Sequence, residues 1–140
     1  MPCLEISMPT TDRETKQVLA NDLTRAFAEA TDFPAEIFGI RFLEYADGEA
    51  ASGGVLIDSK AERPYIHFLL YCPRITRTVK QRLVADFTCI YTKLVGKEHW
   101  WPVIHICEHP YDNVGVEGKL LSDAYEQCRD SKFYYDLPKD

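Results

Sequence analysis

The sequence has no apolar run approaching the roughly 20 residues that cross a bilayer, and it has no excess of positive charge. Sixteen Lys and Arg stand against twenty-two Asp and Glu, a net charge of −6 with a pI near 5.2. That balance argues against phosphate-tracking nucleic-acid binding and polybasic membrane attachment. Cysteine is too scarce for a disulfide scaffold: the five are odd in number and show no C-x-x-C spacing, so reduced thiols are expected. The opening Met-Pro-Cys-Leu-Glu has no basic stretch followed by an apolar one, so no signal peptide is expected and a cytoplasmic location is the default. What is present is 140 residues of ordinary globular composition, 46% hydrophobic and 12% aromatic. A chain this long buries about 70% of its unfolded surface without disulfide or metal staples. One domain over 1–140 is expected, with a partner that is small or protein.

The sequence repeats itself at an offset of 64. From Pro9 to Glu44 against Pro73 to Glu108 there are nine identities in 36 positions, where about two arise by chance. They include Lys16/Lys80, Gln17/Gln81, Leu19/Leu83, Asp22/Asp86, Thr24/Thr88 and Glu44/Glu108. Each copy, about 2–45 and 64–109, reads as strand, helix, strand. Leu4 to Met8 and Tyr65 to Tyr71 are short apolar runs ended by Pro9 and Pro73. Apolar residues then recur at helical spacing: Val18, Leu19, Leu23, Phe27 and Ala30, and Val79, Leu83, Phe87, Ile90 or Tyr91, and Leu94. Thr11 or Asp12 caps the first helix and Gly96 stops the second. Ile37 to Tyr45 and Trp101 to Cys107 supply the remaining strands.

Two βαβ units predict an α/β (α+β) two-layer sandwich, a four-stranded, mainly parallel or mixed sheet with two helices on one face. The other face is left bare although the central runs are apolar at nearly every position, so it is expected to be covered by oligomerisation or by the tail from Val114 to Asp140. Ala46 to Val55 reads as a Gly- and Ala-rich link. The segment 110–140 reads as a hairpin or short helix over Val114 to Leu121, followed by the aromatic tail Phe133-Tyr134-Tyr135.

Four features could carry chemistry. Pro2 follows the initiator methionine, and removal of Met1 leaves a secondary amine at a strand start; α-amino groups titrate near 7.7–8.0, close enough to neutrality to be tuned into an acid or a base. Arg74 and Arg77 stand three residues apart where a strand passes into a helix, either as a carboxylate receptor or as solvated surface arginines. Glu117 lies in a Gly-Val-Glu-Gly turn, where an acid orients a water or is merely solvated. His105-Ile106-Cys107-Glu108-His109 looks superficially like a metal site, but zinc sites draw ligands from separated pairs; strand-end histidines with hydrogen-bond partners fit better, and no metal or cofactor is expected. Cys3 and Cys72 read as packed thiols.

A duplicated βαβ chain beginning Met-Pro, with Gly53-Gly54-Val55 in its link, Arg74 and Arg77 before the second helix, Lys80-Gln81-Arg82-Leu83, Glu108-His109-Pro110 and Val116-Glu117-Gly118, resembles the tautomerase superfamily. Within it the chain is similar to the cis-3-chloroacrylic acid dehalogenase family, whose subunit is a fused 4-oxalocrotonate tautomerase-type chain. The resemblance implies a tautomerase or MIF-like fold, a homotrimer without cofactor, and a small carboxylic acid as substrate. It further implies Pro2 as the acid or base, Glu117 as the water-activating group, and Arg74 and Arg77 as the carboxylate clamp. Phe27 stands where the dehalogenase has a substrate-binding histidine and His105 where it has a tyrosine, so His105 joins the catalytic candidates while Phe27 and Tyr71 become pocket-lining candidates. The implied activities are tautomerisation, or hydration and dehalogenation of 3-haloacrylate-like acids. The competing reading is a non-catalytic binding or signalling trimer, and a pocket joining Pro2 to Arg74 separates the two.

Overall fold

In the computed structural model, which describes residues 1–58, 61–97 and 99–124, the repeat is visible residue by residue. Strand β1 (Cys3–Pro9), helix α1 (Arg13–Thr31) and strand β2 (Gly39–Tyr45) form the first copy; after a hairpin, β3 (Ala50–Ser52) and β4 (Val55–Ile57), the second copy runs through β5 (His67–Cys72), α2 (Arg77–Val95) and β6 (Val103–Glu108). Every one of these bounds is offset by 64 except the ends of β5 and β6, each one residue short of it, and the register follows the same offset: β1 pairs parallel with β2 through Cys3↔Gly39, and β5 with β6 through His67↔Val103. The copies join through an antiparallel β1·β5 pairing, which gives the mixed order β2-β1-β5-β6.

Local chemistry accounts for the helix ends. Asp12, one of the two expected caps, accepts the Thr15 N–H at 2.8 Å, and Thr76 accepts that of Val79 at 3.3 Å. Both helices stop on a left-handed residue, Asp32 at φ 59° and Gly96 at φ 61°. Two of the repeat's identities also become legible here. Lys16 pairs with Glu44 at 2.5 Å and Lys80 with Glu108 at 2.6 Å. Each glutamate also accepts a backbone N–H ahead of the helix, Thr11 or Ile75, so the same carboxylate ties a helix's first turn to the end of its partner strand twice over.

The core lies between the helices and one sheet face. Leu4, Ile6, Phe68 and Leu70 from the central strands meet Leu19, Leu23, Phe27, Leu83, Phe87 and Tyr91 from the helices, all at 0–1% exposure. Each such side chain contributes roughly 1.5–3 kcal/mol of apolar burial. Tyr91 fills the core position left open between Ile90 and Tyr91, with Ile90 packed at its margin. Val18 departs from the expected apolar stripe and is exposed. Two strands start later than their apolar runs: Ile37 ends a 3-10 turn (Ala35–Ile37), and Pro102 delays β6 to Val103.

The opposite sheet face is mixed rather than uniformly apolar. Alternation puts Cys3, Glu5, Ser7, His67, Leu69, Tyr71, Val103, His105 and Cys107 there, and Glu5 pairs with Arg41 at 3.3 Å. Val103 stays 45% exposed, so among the described residues this face has no complete cover. The link over 46–55 is structured, its Gly53 and Gly54 forming the two-residue turn of β3–β4 at φ 58° and 80°. Past β6, a 3-10 turn (Tyr111–Asn113) leads into the hairpin β7 (Gly115–Val116) and β8 (Lys119–Leu120), then a 3-10 turn over Leu121–Ala124. The aromatic tail and Cys128 lie outside the described residues. No described helix is long and apolar enough to cross a membrane.

Candidate active site

Because β1 runs antiparallel to β5 and β5 parallel to β6, the start of β1 lies at the same sheet end as the finishes of β5 and β6. Pro2 is buried at that end, and its carbonyl accepts the Gly39 N–H at 3.2 Å. Continuing the register from Cys3↔Tyr71 sets Pro2 opposite Cys72. The chain then turns through buried Pro73 to half-buried Arg74, Thr76 caps α2, and Arg77 is its first residue and exposed. Arg74 therefore lies ahead of the cap and outside the helix, so helical spacing does not set its direction relative to Arg77. Arg77 lines a shallow groove of about 690 Å³ along α2 with Lys80, Gln81 and Cys89.

His109 joins the same sheet end, donating its backbone N–H to the Cys72 carbonyl at 3.0 Å. Its ring departs from the expectation of a hydrogen-bonded histidine, since Nδ1 is buried without a partner. Burial, then the nearby amino terminus, holds this imidazole below its ordinary range. Burial likewise lowers the Met1 ammonium. The Cys72 thiol is pushed up to about 12, mainly by burial and then by Glu108, which makes it the packed, inert thiol expected.

Glu117 occupies the β7–β8 turn with φ 54°, followed by Gly118 at φ 78°. The β3–β4 turn uses Gly-Gly for the same geometry. A glutamate in this left-handed conformation is strained, and such strain is commonly kept where a side chain must be aimed.

Other candidates lie elsewhere. Phe27 is not on a cavity wall: at 0% exposure it stacks on Phe38 with centroids 4.1 Å apart and meets Phe33 at 5.8 Å. Nothing in the sequence spacing separates a helix residue facing a pocket from one facing the core. His105 is on the open sheet face, its Nδ1 2.6 Å from Nε2 of His67. It lies three residues before Glu108 and so about 10 Å along the strand from the sheet end that holds Pro2. Burial, then His105, lowers the His67 imidazole. Tyr71 shares that face, opposite Cys3 and Cys107; burial, then Glu5 and the two thiols, raise its phenol. Among the described residues no three His, Cys, Asp or Glu gather as a metal site. Three cavities among the described residues, the groove along α2 and two at the far end of β1, are lined by neither Pro2, Arg74 nor Glu117.

The pseudo-symmetry of the two copies sharpens what is special at this end. At the opposite end, the position equivalent to Pro2 is Ile66, within the chain, and the position equivalent to Arg74 is Thr10. The two ends therefore differ in residue type at both positions.

No family model and no curated protein matches the sequence. Solved structures do match. R7 fused 4-OT, a wild-type asymmetric trimer, is 22% identical with a TM-score of 0.77, over 88% of this chain and 98% of that one. Pt0534 inactivated by 2-oxo-3-pentynoate is 18% identical with a TM-score of 0.75, over 88% and 98%. N1, a member of the cis-3-chloroacrylic acid dehalogenase family, is 17% identical with a TM-score of 0.71, over 97% and 92%. The chain has the fold of these proteins, the α+β sandwich that the resemblance implied.

Proposed function

We propose that the chain is a tautomerase-superfamily enzyme whose amino-terminal proline, freed by removal of Met1, moves a proton on a small unsaturated or 2-oxo carboxylic acid. The observation that carries this is the meeting of Pro2 and Arg74 at one sheet end, with Ile66 and Thr10 at the other. Burial of Pro2 disfavours an ammonium and so favours a neutral amine, which is a base. A base beside a carboxylate clamp suits keto–enol tautomerisation, in which the amine takes the proton from one atom of the enol system and returns it to another. Hydration or dehalogenation of a 3-haloacrylate would instead need a protonated Pro2, with Glu117 activating water. Arg74 and Arg77 fix the substrate carboxylate and draw electron density from the reacting carbons.

The open sheet face supports assembly into a homotrimer like those of the fused 4-OT structures, with the protein acting in the cytoplasm. A non-catalytic trimer is the second reading, favoured by the absence of Pro2 and Arg74 from the linings of the cavities described above.

The two separate in one experiment. Protein whose intact mass confirms loss of Met1 is treated with 2-oxo-3-pentynoate, the compound that inactivated Pt0534. The enzyme reading expects one adduct per chain on the peptide beginning at Pro2, with activity lost in step. No adduct at Pro2 would favour the binding reading.

A further inference from the structure

The second end of the sheet has its own cavity, away from the proposed catalytic end. In the first copy the space between helix and sheet is closed by three rings, Phe27, Phe33 and Phe38. Shifted by 64, the same positions are Tyr91, Lys97 and Pro102. Where the second and third rings are missing, the end of α2, the start of α1 and the end of β1 leave a cavity of about 350 Å³. Pro9 lines it and Pro2 marks the other end of the strand, about 23 Å away along the chain.

The lining has two chemical parts. Met8, Leu94 and Val95 provide apolar wall with the ring of Trp100. Tyr91 and Lys97 provide donors. The Tyr91 hydroxyl is buried and has no hydrogen-bond partner, a condition rare in native interiors. Burial, then Tyr45, raises its phenol, so it stays a neutral O–H able to donate. The Lys97 ammonium sits over the Trp100 ring, 4.1 Å from its centroid, and takes part in none of the described ion pairs. Thr10, Thr11 and Thr15 complete a mixed lining, and a cavity that sets a few polar groups beside apolar wall is the common form of a small-molecule site.

We propose that this cavity binds a small monocarboxylic acid with an apolar body, the carboxylate meeting Lys97 and the Tyr91 hydroxyl and the body lying against Met8, Leu94 and Trp100. The site is separate from the proposed catalytic end, so it stands or falls independently of it.

The test uses the full chain carrying Arg74→Ala and Arg77→Ala, which silences carboxylate binding at the catalytic end. Phenylacetate is titrated by calorimetry and by tryptophan fluorescence. Saturable binding is expected, with phenylacetamide at least tenfold weaker. Adding Lys97→Ala should weaken phenylacetate at least tenfold, and adding the conservative Tyr91→Phe about threefold or more. No saturable binding would overturn the proposal. So would binding that neither Lys97→Ala nor Tyr91→Phe alters.

Discussion

Three phenylalanines close the first copy, while a tyrosine, a lysine and a proline stand at the same places in the second. The two copies share their register, their caps and their lysine–glutamate ties, and they differ at their ends. What both retain is what the βαβ unit needs in order to fold. What only one has, Pro2 in place of Ile66, Arg74 in place of Thr10, or the cavity beside Tyr91, is where specific chemistry can reside. Duplication thus separates scaffold from site within a single chain, because each copy serves as the other's control.

The comparison can be broken first at the core. Phe27→Ala removes a fully buried ring stacked on Phe38 and should cost about 3–5 kcal/mol in denaturant unfolding. Tyr91→Phe at the equivalent place deletes only an unpartnered hydroxyl, and its stability should stay within about 1 kcal/mol of the parent or rise. Equal losses would contradict the asymmetry of filling.

The next test concerns the ends. Arg74→Ala should raise KM for a carboxylate substrate about 10–100-fold, the range of one charge-assisted hydrogen bond. Thr10→Ala at the matched position should leave KM unchanged. Steady-state kinetics on the two variants decide it, and a shared effect would mean that both ends take part.

The smallest effects probe what the copies have in common. Lys16→Met and Lys80→Met should each cost about 0.2–1 kcal/mol, as half-exposed ion pairs do. Hydrogen bonds from Lys16, then Thr11, hold the Glu44 carboxyl below its ordinary 4.5. Its contribution is therefore complete above about pH 4.5 and is lost as the pH falls through the lowered value. Glu44→Gln should flatten the acid limb of a stability-versus-pH curve; an unchanged limb would assign that limb to other groups.

Much of this fold was legible in the sequence, because identity at a fixed offset constrains both copies at once. Leu19 with Leu83 and Glu44 with Glu108 marked the helix and the strand end before any coordinates. The strand starts were less legible, since Ile37 and Trp101 are apolar residues in turns and Pro102 shifts the first ladder position. At the site, Pro2, Arg74 and Arg77 could be singled out by residue type and order. Direction could not. Phe27 turns into the core, and His105 pairs with His67 on the open face, because which side of a helix or strand faces a cavity depends on packing across the sequence. The unpartnered Tyr91 hydroxyl and the His109 Nδ1 gave no sequence signal at all, for an orphaned atom is defined by what surrounds it.

Turnover of phenylenolpyruvate by Pro2→Ala, compared with the parent protein after Met1 removal has been verified by intact mass in both, tests the central claim most directly. A loss of about 100-fold or more in kcat, with unfolding unchanged, is the result expected of a positioned acid–base group. Equal turnover by the two proteins would contradict it.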